Sequence, residues 1–163
     1  MNAKEINTTA LAYIGDAVYE VYVRRRVLAA SGMPVGEAAG GAASGDLGAA
    51  PAGASTQKQA YGAHVDALHK RAIKYVKASG QAKAVKRMLA DGFLSQDEEA
   101  LVRRARNHKT ASKPKNADAM DYKYATAFEA LVGYLNLTDD KARMEEIIFH
   151  AFEIIDDNLK GGK

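Results

Sequence analysis

Apolar residues recur along most of this chain at spacings of three and four and nowhere alternate with a clear period of two, which predicts a nearly all-helical fold. A first helix is expected from about Thr8 to Ala30, with Asn7, Thr8 or Thr9 as its cap and Ser31-Gly32 and Pro34 ending it. The segment GEAAGGAASGDLGAAPAGAS follows; its Gly, Ala and Ser content offers little for a core, and roughly residues 36–60 are expected to form a flexible surface insertion. VDALHKRAIKYVKASG predicts a second helix, with Val65, Leu68, Ala72, Ile73 and Val76 near helical spacing. QAKAVKRMLADG predicts a third, stopping at Gly92. In SQDEEALVRRARN, Glu98 stands three residues after Ser95, the pattern of a capping box that opens a fourth helix. A polar, basic loop, NHKTASKPKNADAMD, leads to a fifth helix, YKYATAFEALVGYLNL, apolar on most sides. The last, DDKARMEEIIFHAFEIIDDNLK, is amphipathic, with Met144, Ile147, Ile148, Ala151 and Phe152 on one side.

Composition narrows the class. The 163 residues suit one domain with a real core, expected to span residues 1–163. The absence of cysteine excludes disulfides, zinc–thiolate sites and cysteine nucleophiles, and makes a reducing cytoplasm the expected setting. No apolar run approaches the roughly 18 residues of a membrane span, so no membrane association is expected. The net charge of +3 conceals an asymmetry. Leu68 to Ala90 carries Lys70, Arg71, Lys74, Lys77, Lys83, Lys86 and Arg87 with no acid, and Leu101 to Ala117 carries six more cations, again with no acid. Two such segments suit a polyanion such as nucleic acid; they are also what two solvated helix faces look like.

The first and fifth helices are apolar nearly all round, which marks central or interface helices, and each carries a carboxylate in that setting: Asp16 and Glu129. An ionised carboxylate among apolar residues needs a partner, a proton or a metal. Two carboxylates converging from different helices suit a hard divalent cation such as Mg²⁺, which takes oxygen ligands and keeps several waters. Pairing of each with an arginine, or capping of a neighbouring helix, also fits the pattern and is its commoner meaning, since buried ion pairs are common wherever acids sit in cores.

The ordered segments LAYIGDAVYEVYVR, RRARN, KPKN and YKYATAFEALVGYL resemble the ribonuclease III endonuclease domain, and most closely its catalytic-domain-only branch, Mini-ribonuclease III. The resemblance covers most of the chain apart from the Gly/Ala-rich insertion and the extreme termini. It implies the all-α ribonuclease III fold as a single domain, with no separate double-stranded-RNA-binding domain. It also implies a homodimer with one Mg²⁺ site per subunit, each cutting one strand of an RNA duplex to leave 5′-phosphate and 3′-hydroxyl ends. The implied substrate is precursor large-subunit (23S) ribosomal RNA, with a ribosomal protein as a candidate assistant. Asp16 and Glu129 match the motif carboxylates, which implies that both are catalytic and metal-ligating.

The chain departs from full-length ribonuclease III at two positions. A glutamate four residues before the first aspartate is replaced by Ala12, and an aspartate three residues before the second-motif glutamate by Thr126. Both spacings lie on the same helix faces as Asp16 and Glu129, so Ala12 removes a ligand and Thr126 is left to position a water. Glu20, one turn after Asp16, is expected to pair with Arg24 at the surface. The RNA grip is expected from Arg103, Arg104, Arg106, Asn107, Lys109, Lys113, Lys115 and Asn116, extended by some of Lys74, Lys77, Lys83, Lys86 and Arg87. His108 is a candidate RNA contact, His150 belongs to the last helix, and Tyr122 and Tyr124 are expected to pack. Two other readings compete: a non-catalytic RNA-binding or ribosome-associated protein on the same fold, and a helical DNA-binding module, which leaves the two carboxylates unexplained.

Overall fold

The computed structural model describes residues 5–31, 54–108 and 118–160, and all elements among them are helices. They are α1 (Thr8–Ala30), α2 (Ala54–Val76), α3 (Ala78–Ala90), α4 (Gln96–Asn107), α5 (Ala119–Leu137) and α6 (Lys141–Lys160). Among them no helix is long and apolar enough to cross a membrane.

α1 has the expected bounds, and of its three candidate caps Asn7 is used, its side chain accepting from the Thr9 N–H at 2.8 Å. The capping box of α4 also forms: Glu98 accepts from the Ser95 N–H at 2.8 Å, and the Ser95 hydroxyl accepts from the Glu98 N–H at 3.3 Å. Other boundaries differ. The chain is already helical at Ala54, eleven residues before Val65, and α5 starts at Ala119, capped by Asp118. Residues 36–53 of the expected insertion lie outside the described residues.

The expected helix through Gly80 is broken at Lys77, whose extended backbone (φ −59°, ψ 139°) separates α2 from α3. Gly80 makes that corner possible, because a Cβ there would overlap the carbonyl oxygen of Lys74. α2 also turns differently from the apolar spacing. Among its described side chains Tyr75 is the buried one, whereas Ile73 and Val76 stay at the surface.

α5 occupies the centre, with α1, α3, α4 and α6 packed around it. Phe128, Leu131 and Val132 of α5 meet Leu11, Tyr19 and Val23 of α1, Met88 of α3, Val102 of α4 and the buried α6 stripe of Met144, Ile147, Ile148, Ala151 and Phe152. The Tyr19 ring stands edge-on to Phe128 at 5.0 Å, and its hydroxyl donates to the Tyr75 carbonyl at 3.3 Å, so its polar end is satisfied inside the core. α1, by contrast, is not central. Tyr13 is 81% exposed, and Val21, two turns on, is also at the surface.

Two glycines set how closely α1 and α5 approach. A Cβ on Gly15 would overlap the carbonyl oxygen of Glu129, and one on Gly133 would overlap that of Leu11. Glycine inside a helix costs roughly 1 kcal/mol relative to alanine, and here it permits backbone-to-backbone contact that no other residue allows. Each glycine accompanies a carboxylate. Gly15 precedes Asp16, and Gly133 lies one turn beyond Glu129.

A candidate active site between two helices

The crossing of α1 and α5 leaves a cleft of about 410 Å³ whose lining includes Asp16, Glu129, Ala12, Thr126, Gln81 and His108. Asp16 sits exposed on the α1 side, while Glu129 is half-buried in the wall. Neither is capping a helix, and neither has a cationic partner among the described residues.

The electrostatics of the pair follow from that placement. Burial, and then the negative charge of Asp16, push the Glu129 carboxyl up to about 7, against a hydrogen bond from Gln81 that favours the charged form. Asp16 is raised as well, by burial and then by Glu20. Two acceptor-only groups held close with a neutral donor and no cation form a donor set that fits a hard divalent ion. Among the described residues no group of three or more His, Cys, Asp or Glu side chains is placed to hold a metal ion, so a cation bound here would take two carboxylates and fill its other positions with water or phosphate.

Gln81 is the site residue that the sequence reading passes over. Its side chain is only 2% exposed and donates to the Glu129 carboxylate. The corner at Lys77 and Gly80 brings it there, one turn into α3. A signal did exist. Gln81, Val85 and Met88 share one helical stripe, so an uncharged polar residue stands at an inward-facing position. The amide can hold a carboxylate without neutralising it, whereas a lysine or arginine there would compete with a metal ion.

The two departures from full-length ribonuclease III both line the cleft. Ala12 supplies an apolar wall beside Asp16. Thr126 donates its hydroxyl hydrogen to the Tyr122 carbonyl at 3.0 Å, so towards the cleft it presents only oxygen lone pairs. Glu20 pairs with Arg24 at 2.6 Å, as expected.

The structure distributes the expected RNA contacts unevenly. Arg103 is exposed beside Glu99 at 2.9 Å, and Arg104 turns inward to the Ile6 carbonyl at 3.4 Å. Arg106 donates to the Tyr124 hydroxyl at 2.9 Å, and Asn107 ends α4 next to His108 in the cleft lining. Lys109, Lys113, Lys115 and Asn116 lie outside the described residues. In the second basic stretch Lys74 is bound to Asp156 at 2.6 Å, Lys86 to Asp121 at 2.7 Å and Arg87 to Asp91 at 2.6 Å. Runs free of acid in sequence are thus partly neutralised in space, half by acids that α5 and α6 bring across and half by local i,i+4 pairs. Tyr124 packs under the cations of Lys86 and Arg106, as expected of it, whereas Tyr122 lines the cleft. His150 lies in α6, tilted against Phe93.

Comparison with known proteins agrees with this arrangement. Residues 9–140 match the family model described as "Ribonuclease III domain". Proteins named Mini-ribonuclease 3 are similar over nearly the whole chain. The one from Enterococcus faecalis is 37% identical over 89% of this chain and 87% of its own length, and that from a Thermoanaerobacter species 34% over 93% and 84%. A crystal structure of a Fusobacterium nucleatum protein shares the fold, with a TM-score of 0.62, 23% identity, and coverage of 91% of this chain and 93% of that one. A helical core whose two motif carboxylates meet at a paired-glycine crossing, in a chain matched along its length by those relatives, makes this protein a member of the ribonuclease III family, of the Mini-ribonuclease 3 kind, and an endoribonuclease.

Proposed function

We propose that this endoribonuclease is Mg²⁺-dependent, cuts both strands of an RNA duplex as a homodimer, and trims precursor large-subunit ribosomal RNA, the substrate implied by its resemblance to the family. The observation that carries the reading is the convergence of Asp16 and Glu129 in one cleft without a cation between them. In this reading both are catalytic, and both would hold the metal. The bound ion supplies Lewis-acid neutralisation of the scissile phosphate and a water of lowered pKa. The protein's own part is positional. Gln81 orients Glu129 as an anion, the Thr126 oxygen accepts from a water in the cleft, and Ala12 with Ala125 keeps the wall apolar. Arg103, Arg106, Asn107 and the loop beyond them contact sugar and phosphate of the minor groove. In this reading the partner subunit covers apolar side chains left at the surface, among them Tyr13 of α1 and Val76 of α2, which line the same cleft.

The test uses a labelled duplex carrying a precursor stem. The native chain with Mg²⁺ is expected to give discrete cuts, and Asp16→Asn or Glu129→Gln to abolish them while duplex binding persists. Binding without cleavage across divalent metals would overturn the reading. Sedimentation of Tyr13→Glu as a monomer tests the dimer.

A further inference from the structure

A cleft of about 1100 Å³, larger than the one that holds the carboxylates, lies elsewhere in the fold. It runs between the C-terminal halves of α1 and α2 and the face of α6. Arg25 lies nine residues after Asp16, about 14 Å along α1 and half a turn round it, so the groove opens on the side away from the catalytic cleft.

Its lining holds five cations against two acids, and the pairing within it matters more than the count. Arg26 and Lys74 share Asp156, at 2.7 and 2.6 Å, while the Tyr22 hydroxyl donates to Glu145 at 2.8 Å. Both acids are therefore engaged. Arg25, Lys70 and Arg71 are exposed on the lining, and none has an ion-pair partner among the described residues. Among them stands Phe149, 50% exposed and edge-on to Tyr22 at 6.1 Å.

Unpaired cations along a groove with an exposed ring in its floor are the elements of a single-strand nucleic-acid site, where phosphates meet the cations and a base stacks on the ring. A duplex hides its base faces and gains nothing from Phe149. An acidic peptide would use the charges. However, an unpaired flank long enough to pass round α1 from a bound duplex would meet this surface at raised effective concentration, an advantage that a free peptide lacks.

We propose that the groove of Arg25, Lys70, Arg71 and Phe149 is an exosite for a single-stranded RNA flank, so that duplexes with unpaired extensions are held more tightly than blunt ones. This rests on the reading that the chain binds RNA duplexes, and the test separates the two. In an Asp16→Asn background, which prevents cutting, fluorescence anisotropy compares a blunt duplex with the same duplex carrying an oligouridylate extension of about eight nucleotides, within the range of single-strand sites. The extended duplex is expected to bind about tenfold more tightly or better. Phe149→Ala, and separately Arg25→Glu with Arg71→Glu, should erase that preference, leaving blunt-duplex affinity and, with Asp16 restored, blunt-duplex cleavage unchanged. Equal affinity for the two duplexes, or a preference that survives both sets of changes, overturns the exosite alone. Failure to bind any duplex overturns the functional reading beneath it. Displacement of the extension by uridine monophosphate as readily as by oligouridylate would reassign the groove to a free nucleotide. Binding of polyglutamate that is lost in the charge reversals but kept in Phe149→Ala would reassign it to an acidic protein.

Discussion

Gly133→Ala adds one methyl group at the point where α5 meets α1. The new Cβ would lie 2.9 Å from the Leu11 carbonyl carbon and 3.0 Å from the Gly15 nitrogen, besides overlapping the Leu11 oxygen. Carbon atoms in ordinary contact stand about 3.5–4.0 Å apart, and relieving the closer oxygen contact as well requires the helices to part by roughly 1 Å or more. Gly15→Ala is more severe, since its Cβ would come within 2.6 Å of the Glu129 carbonyl carbon itself. Neither clash can be relieved by turning a side chain, because the atoms met are backbone. Overpacking of this kind costs about 1–3 kcal/mol, offset in part by alanine's better helix propensity. For a chain of 163 residues the melting temperature should fall by roughly 2–12 °C. Activity should suffer more. Asp16 adjoins Gly15 and Glu129 lies one turn before Gly133, so the separation is transmitted to the carboxylate pair, and a misplacement of about 1 Å costs on the order of 100-fold in rate.

The assay pairs duplex cleavage with thermal melts followed by circular dichroism. Gly92→Ala is the control. Gly92 holds a left-handed φ of 66° with open space around it, so alanine there costs roughly 1 kcal/mol of backbone strain far from the cleft. Its melting temperature should drop while cleavage at working temperature holds. If Gly133→Ala cuts RNA at close to the native rate, or if loss of activity merely follows loss of stability in both variants, the close crossing does not set the site and the argument fails.

Other outcomes follow from the same geometry. Gln81→Leu removes the neutral donor to Glu129 and should weaken Mn²⁺ binding about 10–100-fold by titration calorimetry, and unchanged affinity would show that Gln81 only fills space. Glu129 has a folded pKa of about 7 against an ordinary 4.5, so in metal-free protein its ionisation destabilises the fold progressively as pH rises from about 4.5 to 7. Glu129→Gln should therefore raise the melting temperature in EDTA at pH 8, by an amount on the order of 2–3 kcal/mol in stability, and do little at pH 4; equal effects at both would refute the raised pKa. Glu98 is held below its ordinary pKa despite its burial, by Arg143 at 2.9 Å and the Ser95 N–H, so its contribution is present above about pH 4.5 and lost as pH falls through the lowered value. Arg143→Ala strands that carboxylate and frees the Phe93 carbonyl, and should cost about 3–5 kcal/mol by urea unfolding at neutral pH; a loss below 1 kcal/mol would mean that water replaces the arginine.

Much of this protein was legible along the chain because it depends on neighbours in sequence. The bounds of α1, the capping box at Ser95 and the buried stripe of α6 are local matters of hydrogen-bonding caps and periodicity. The oddity of Asp16 and Glu129 was equally visible, since a carboxylate among apolar residues stands out without any knowledge of what faces it. Mid-helix glycines at 15 and 133 were visible too, but not their purpose, which exists only where two backbones touch.

What remained hidden depended on residues far apart in the chain. Four of the basic residues expected on the RNA footprint proved paired, Lys74 and Lys86 by acids on other helices, and charge runs in one dimension say nothing about the acids that packing brings across. The outward turn of Ile73 and Val76 followed from Tyr75 taking the inner position of α2, a choice made by the aromatic cluster with Phe152 and Tyr19. Gln81 reached Glu129 only because Gly80 allows the corner after α2 to close. From the chain alone came the helical class, the bounds of α1, the start of α4 and the two suspect carboxylates, all of them local properties. Which charges survive unpaired, and which neutral side chain holds Glu129, was settled by packing, because both depend on contacts between helices distant in sequence.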